Sequence, residues 1–291
     1  MAKEQKTVGL IGLGLMGQAL MARLIPAGFR VVGYDIDPAK NAKLKAMGGE
    51  PAPALAEVAK CGIVVLAVFS TDQVEEVVEQ TLVPAAGAGK IVLCTSTCDP
   101  DRIAALAARV AGKGIRFLET PVSGSSGQVS RGEGVGLIGG DPQTAAEAGD
   151  ILEALFPRRF HIGKAGAGGR AKLAINLILG LNRMALAEGL VFATRLGLDP
   201  KAFLDVARSS AAYSQVMDIK GRKMIDREFT PEGFVHQSLK DFKLMREQAR
   251  QHGQTLPALE LNASLLEACV RAGEADYDNS AVIEEIRRRH T

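Results

Sequence analysis

Val8-Gly9-Leu10-Ile11-Gly12-Leu13-Gly14-Leu15-Met16-Gly17 is an apolar run that breaks into a Gly-x-Gly-x-x-Gly turn and then opens a helical pattern over Met16–Ala27. A second apolar run, Val31–Tyr34, follows, so the turn sits inside a strand–helix–strand unit. In that context the three glycines have separate tasks: Gly12 permits the tight turn, Gly14 lets the backbone approach a pyrophosphate, and Gly17 allows close packing of helix on strand. The first turn of the helix offers unpaired N–H groups and the positive end of its dipole to the phosphates. The second strand ends at Asp35, 18 residues after Gly17. A carboxylate there accepts hydrogen bonds from ribose hydroxyls and repels a 2′-phosphate, which favours NAD. Lys40 and Lys43 lie close enough to keep NADP open. Gly12, Leu13, Gly14, Met16, Gly17 and Asp35 are therefore the candidate cofactor contacts.

Outward from this unit the same alternation continues. Ile63–Val68 and Ile91–Cys94 read as further strands, with Phe69 and Ser96-Thr97 just beyond them. Arg116–Leu118 and Val135–Gly139 are two more strand candidates. The helices between them open at Asp37-Pro38, Asp99-Pro100 and Asp141-Pro142, with Asp as N-cap and Pro at the first helical position. Continuous runs such as Ile-Val-Val-Leu-Ala-Val fit parallel strands covered on both faces. The expected fold is an α/β Rossmann-type doubly wound parallel sheet over residues 1–165. The pattern changes in Gly-Lys-Ala-Gly-Ala-Gly-Gly, 163–169. A proline-free helical stretch then runs to about Leu196, and everything after it reads helical, giving an all-α domain over 166–291.

The 291 residues suit two domains of ordinary size. A formal net charge of +2 carries no strong field toward nucleic acid or an anionic membrane. No signal peptide is visible, and no uninterrupted apolar run reaches the roughly 18 residues that span a bilayer. A cytoplasmic protein, without nucleic acid or membrane as partner, is the expectation from composition. Cys61, Cys94, Cys98 and Cys269 form no CxxC pair, so reduced thiols and no metal site are expected.

Four further segments carry a resemblance. Thr120-Pro121-Val122-Ser123-Gly124, Gly166-Ala167-Gly168 followed by Lys172 and Asn176, Lys240-Asp241, and Ser96-Thr97 after the fourth strand, taken with the glycine turn, resemble the β-hydroxyacid dehydrogenase family over nearly the whole chain. The resemblance implies reversible hydride transfer between NAD and a small 3-hydroxy acid or its semialdehyde. It implies Lys172 as general acid–base, with Asn176 beside it. Ser123 and Gly124 are implied at the substrate carboxylate, with Asp241 also among the substrate-binding residues, Thr97 and Lys240 near the nicotinamide, and Phe69 among the cofactor contacts. Lys172 and Asn176 are four apart on a helix and share one face. Burial of a lysine in a partly apolar cleft disfavours its charged form, and a nearby carboxylate acts the other way. Ser123-Gly124 reads as a turn. Ile175, Ser70 and Ser125 depart from the family pattern at the pocket walls. An imine reductase of the same superfamily, an S-adenosylmethionine-dependent methyltransferase and a non-catalytic dinucleotide sensor are the competing readings. The apolar stretch Leu173–Leu196 points to a homodimer or homotetramer.

Overall fold

The computed structural model describes residues 6–85 and 89–289. Contact density divides the chain into two compact units, the first ending at Lys172 and the second beginning at Leu173.

The described residues of the first unit form nine strands: β1 (Thr7–Ile11), β2 (Arg30–Tyr34), β3 (Glu50–Pro51), β4 (Ile63–Leu66), β5 (Lys90–Cys94), β6 (Ile115–Glu119), β7 (Val122–Ser123), β8 (Val135–Gly139) and β9 (Arg158–Gly163). The order is β3-β2-β1-β4-β5-β6-β8-β7, with β9 also paired to β8. β1 to β6 are parallel throughout, and the point between β1 and β4, where the order of successive strands turns from one side of β1 to the other, is the switch point of a doubly wound fold. β8 enters antiparallel to both β6 and β7. The central strands are buried on both faces. Val8, Leu10, Val65 and Leu93 join one core, and Val64, Leu66 and Val92 the other. This is why those strands read as unbroken apolar runs rather than alternating ones.

Aspartate caps set the helix starts. Asp37, Asp99 and Asp141 each accept a hydrogen bond from a first-turn N–H, and each is followed by proline. Asp199 does the same in the second unit. Two positions that depart from the family pattern have this local role as well. Ser70 forms a capping box with Gln73, and Ser125 one with Gln128.

Several expectations need correction. Ser123 lies in the short strand β7, not in a turn, and only Gly124 (φ 140°) takes a conformation that favours glycine. β9 went unread because it carries Arg158, Arg159 and an exposed Phe160 on a partner strand rather than an apolar run.

The second unit is helical: Pro200–Arg208, Gln215–Asp226, Val235–Gln251, Pro257–Arg271 and Val282–Arg288 follow the long helix Ala167–Arg195. It has two apolar clusters, one around Leu186, Leu190, Leu204 and Met224, the other around Leu173, Phe242, Leu259 and Leu266. The long helix contains an 18-residue window of mean hydropathy 1.4, of which only 28% is buried. By length and composition it is apolar enough to cross a membrane, contrary to the count of uninterrupted apolar residues. The two differ because a window average tolerates an isolated charge such as Arg183.

Candidate active site

The glycine turn has the geometry its sequence predicts. A Cβ on Gly12 (φ 90°) would lie 2.4 Å from the Ala67 carbonyl oxygen, and one on Gly17 would lie 2.1 Å from that of Gly12. Both positions admit only glycine for internal reasons. Gly14 differs: a Cβ there would meet no protein atom within 4 Å, so the space over it is open. It is also the N-cap of helix Leu15–Leu24, which lacks a side-chain cap. An uncapped helix start facing open space fits a dinucleotide pyrophosphate.

Asp35 reaches into the same turn. Its Oδ2 accepts the Leu13 N–H at 2.7 Å and its Oδ1 the Asp37 N–H at 3.0 Å. Lys40 Nζ stands 3.6 Å from Oδ1. The carboxylate is thus oriented beside the loop, with a cation next to it. Leu13 is fully buried, and its N–H and carbonyl are engaged by Asp35 and Gln18, so it shapes the turn from within. Met16 packs against the first core. Phe69 is 43% exposed after β4, and Thr97 is half-buried after β5. The neighbouring Ser96 hydroxyl is committed to the Val68 carbonyl at 2.7 Å.

Lys172 belongs to the first unit and is 7% exposed. The start of its helix is anchored by a residue that sequence reasoning missed. Glu119, at the end of β6, accepts the Gly168 N–H at 2.8 Å and the Gly169 N–H at 3.1 Å. These are first-turn donors with no partner inside the helix. The carboxylate is 3% exposed and sits among glycines. A Cβ on Gly139 would fall 2.1 Å from its Oε1, and one on Gly169 would fall 3.1 Å from its Oε2. Burial pushes the Glu119 carboxyl above its ordinary value, against the pull of the Gly168, Gly169 and Gly166 N–H groups. The Gly-Ala-Gly-Gly run before Lys172 is therefore the space that a buried carboxylate needs. A lone Glu at the end of an apolar strand carries no periodic signal that would reveal this. Immediately after Glu119 come Thr120-Pro121 and then Ser123, whose hydroxyl has no hydrogen-bond partner among the described residues.

The second unit gathers Asn176, Lys240 and Asp241. Asn176 Nδ2 donates to Asp241 Oδ2 at 2.8 Å. Lys240 Nζ lies 3.1 Å from Oδ1, at ion-pair range without hydrogen-bond alignment. Asp241 is thus held by two neighbours rather than standing alone as a substrate contact. His236 stacks on Phe234 at 5.0 Å and bonds the Ala275 carbonyl at 3.0 Å, a packing role. All four cysteines are buried and outside any disulfide; in Cys94 the Cys98 thiol alongside and burial together push the thiol up.

A doubly wound sheet with an open Gly14 turn, an oriented Asp35 and a buried lysine in the same unit defines a dinucleotide-dependent oxidoreductase. Residues 7–163 match the NAD binding domain of 6-phosphogluconate dehydrogenase, and residues 166–286 match the NAD-binding domain of NADP-dependent 3-hydroxyisobutyrate dehydrogenase. L-threonate dehydrogenase of Cupriavidus necator is 30% identical over 283 residues, covering 96% of this chain and 95% of that one. The 2-hydroxy-3-oxopropionate reductase of Escherichia coli is 30% identical over 287 residues, covering 96% of each. The crystal structure of a 3-hydroxyisobutyrate dehydrogenase from Salmonella typhimurium superimposes with a TM-score of 0.89 at 26% identity, covering 96% of this chain and 99% of that one. The chain belongs to the β-hydroxyacid dehydrogenase family and is an NAD(P)-dependent enzyme.

Proposed function

We propose that the protein interconverts a small 3-hydroxy acid and its semialdehyde, with Lys172 as general acid–base and with NAD preferred over NADP. The observation that carries this reading is the Glu119 clamp, which fixes the start of the Lys172 helix within the unit that holds the open glycine turn. Relatives named for threonate, 2-hydroxy-3-oxopropionate and glyoxylate/succinic semialdehyde support the substrate class. Imine reductases align at 16% identity and a TM-score of 0.67, which is likeness of fold alone.

The Gly12–Gly17 turn and the first N–H groups of its helix would hold the pyrophosphate, and Asp35 the ribose hydroxyls. Phe69, Thr97 and Lys240 would serve the nicotinamide side. The cofactor, when bound, supplies the hydride acceptor or donor. In oxidation Lys172 Nζ accepts the hydroxyl proton, and in reduction it returns that proton to the forming hydroxyl. Ser123 and Gly124 hold the substrate carboxylate through hydroxyl and N–H donors. Asp241 restrains Asn176, whose remaining amide oxygen helps orient the amine. Lys40 beside Asp35 weakens the discrimination against a 2′-phosphate, so the NAD preference is one of degree. The active assembly is a homodimer or larger.

The test is Lys172→Ala, assayed by NADH absorbance over a panel of small hydroxy acids and semialdehydes. Turnover should fall by about a hundredfold or more while cofactor binding persists. Undiminished turnover would reject the role of Lys172.

A further inference from the structure

Arg183 lies seven residues beyond Asn176 on the long helix, about 10 Å along its axis. Both side chains reach the same neighbouring helix, Val235–Gln251: Asn176 bonds Asp241, and Arg183 Nη1 approaches Ser238 Oγ at 3.5 Å. That long contact is the guanidinium's sole hydrogen bond among the described residues, and no carboxylate oxygen of those residues lies within 4.0 Å of it. Asp241 and Asp278 are near enough to favour its charge, but each is engaged elsewhere. Asp241 is held by Lys240 and Asn176, and Asp278 by Lys220 and Ser280. Burial nevertheless pushes the Arg183 guanidinium down to about 10, so it is still charged at neutral pH. Ser238 Oγ already accepts from Arg183 and from Asn279 Nδ2 at 3.1 Å, which leaves its own O–H to donate.

A guanidinium has five N–H donors in a flat fork. Arg183 is half-buried and has no dedicated carboxylate, so its fork can take an oxyanion through two parallel N–H bonds. We infer that Arg183 and Ser238 form a subsite for a second anionic group on the substrate, distal to the reacting carbon, so that the enzyme selects dianionic hydroxy acids over monoanionic ones. This inference rests on the proposed hydroxy-acid chemistry for its substrate but not for its binding test. Carboxylate and phosphoryl groups share the required chemistry, and the probes separate them.

Thermal unfolding of the purified protein with glutarate, 3-phosphonopropanoate or butyrate reads the subsite without turnover, and can be repeated on Lys172→Ala. One or both dianions should raise Tm where butyrate at equal concentration does not, and the stronger of the two identifies the distal group. Arg183→Met should remove that rise. Arg183→Lys, which keeps the charge and loses the fork, should retain part of it, and Ser238→Ala should weaken it. In the kinetic arm, the ratio of kcat/KM for a dianionic over a monoanionic hydroxy acid of equal length should fall about tenfold or more in Arg183→Met. If butyrate stabilises as well as glutarate and 3-phosphonopropanoate, or if Arg183→Met leaves the ratio where it was, the subsite does not exist. A loss of turnover in Lys172→Ala with the dianion effect intact would separate this result from the acid–base assignment.

Discussion

Glu119 does more for the proposed reaction than its position in the sequence suggests. Its carboxylate receives two N–H groups that the helix cannot satisfy itself, and these fix the origin from which Lys172 is measured along the helix. Replacement by glutamine keeps the size but turns one acceptor into a donor facing an N–H. One hydrogen bond is then lost in a buried place, where an unmade bond costs about 1–3 kcal/mol. The expected kinetic signature is a fall in kcat with little change in cofactor affinity, and partial recovery in Glu119→Asp. The pH dependence has a definite sign. Because burial raises the Glu119 pKa on folding, the folded chain holds this proton more tightly than the unfolded chain does. Stability from this group is therefore greatest below its ordinary pKa and declines as pH rises through the folded value. Urea unfolding of wild type and Glu119→Gln at successive pH values should show the difference moving against the wild type as pH increases across that window. A difference that is flat, or that moves the other way, would contradict the buried-carboxylate account.

Elements differ in how much of their cause is local. Helices opened by Asp37-Pro38, Asp99-Pro100 and Asp141-Pro142 were legible because cap, proline and first turn are adjacent in sequence. The glycine turn was legible for the same reason: Gly12, Gly17 and Asp35 serve one compact unit. β9, the Glu119 clamp and the Arg183–Ser238 contact depend on partners 23, 49 and 55 residues away, and no spacing rule encodes them. The last helices of the second unit show the same dependence. Asp278, fully buried, accepts from Lys220 Nζ, Ser280 and the Glu232 N–H, and so ties helix Gln215–Asp226 to the start of helix Val282–Arg288. Burial pushes its carboxyl up, but Lys220 and these donors outweigh burial and hold it below the ordinary aspartate value. Lys220→Met would leave that carboxylate buried without its cation. A loss of about 3–5 kcal/mol in chemical denaturation is expected, and Lys220→Met combined with Asp278→Asn should recover part of it. A single substitution costing less than about 1 kcal/mol would show that the pair is not the tie described here.

For the whole molecule, the long helix poses a question that a single chain does not answer. Ile178 and Phe192 are 60% and 65% exposed, and Leu196, just past the helix end, is 62% exposed. Ile178 and Phe192 are separated by two heptads and so lie on one face, and Leu196 continues it a turn later. Large apolar side chains left in water each forgo about 1.5–3 kcal/mol of burial, and side chains of this kind aligned on one helix face suit an interface. A second copy of the same helix is the simplest cover, since a twofold axis lets one self-complementary stripe serve both chains. Light scattering coupled to size exclusion should therefore report a dimer or a larger even assembly, and Ile178→Glu or Phe192→Glu should shift the population toward the single chain by placing two like charges across the axis. Neither substitution touches the glycine turn, Lys172 or Arg183, so NAD binding should survive in the dissociated form. A wild-type protein that runs as a monomer at micromolar concentration would remove the self-association argument and leave the exposed stripe to a different partner.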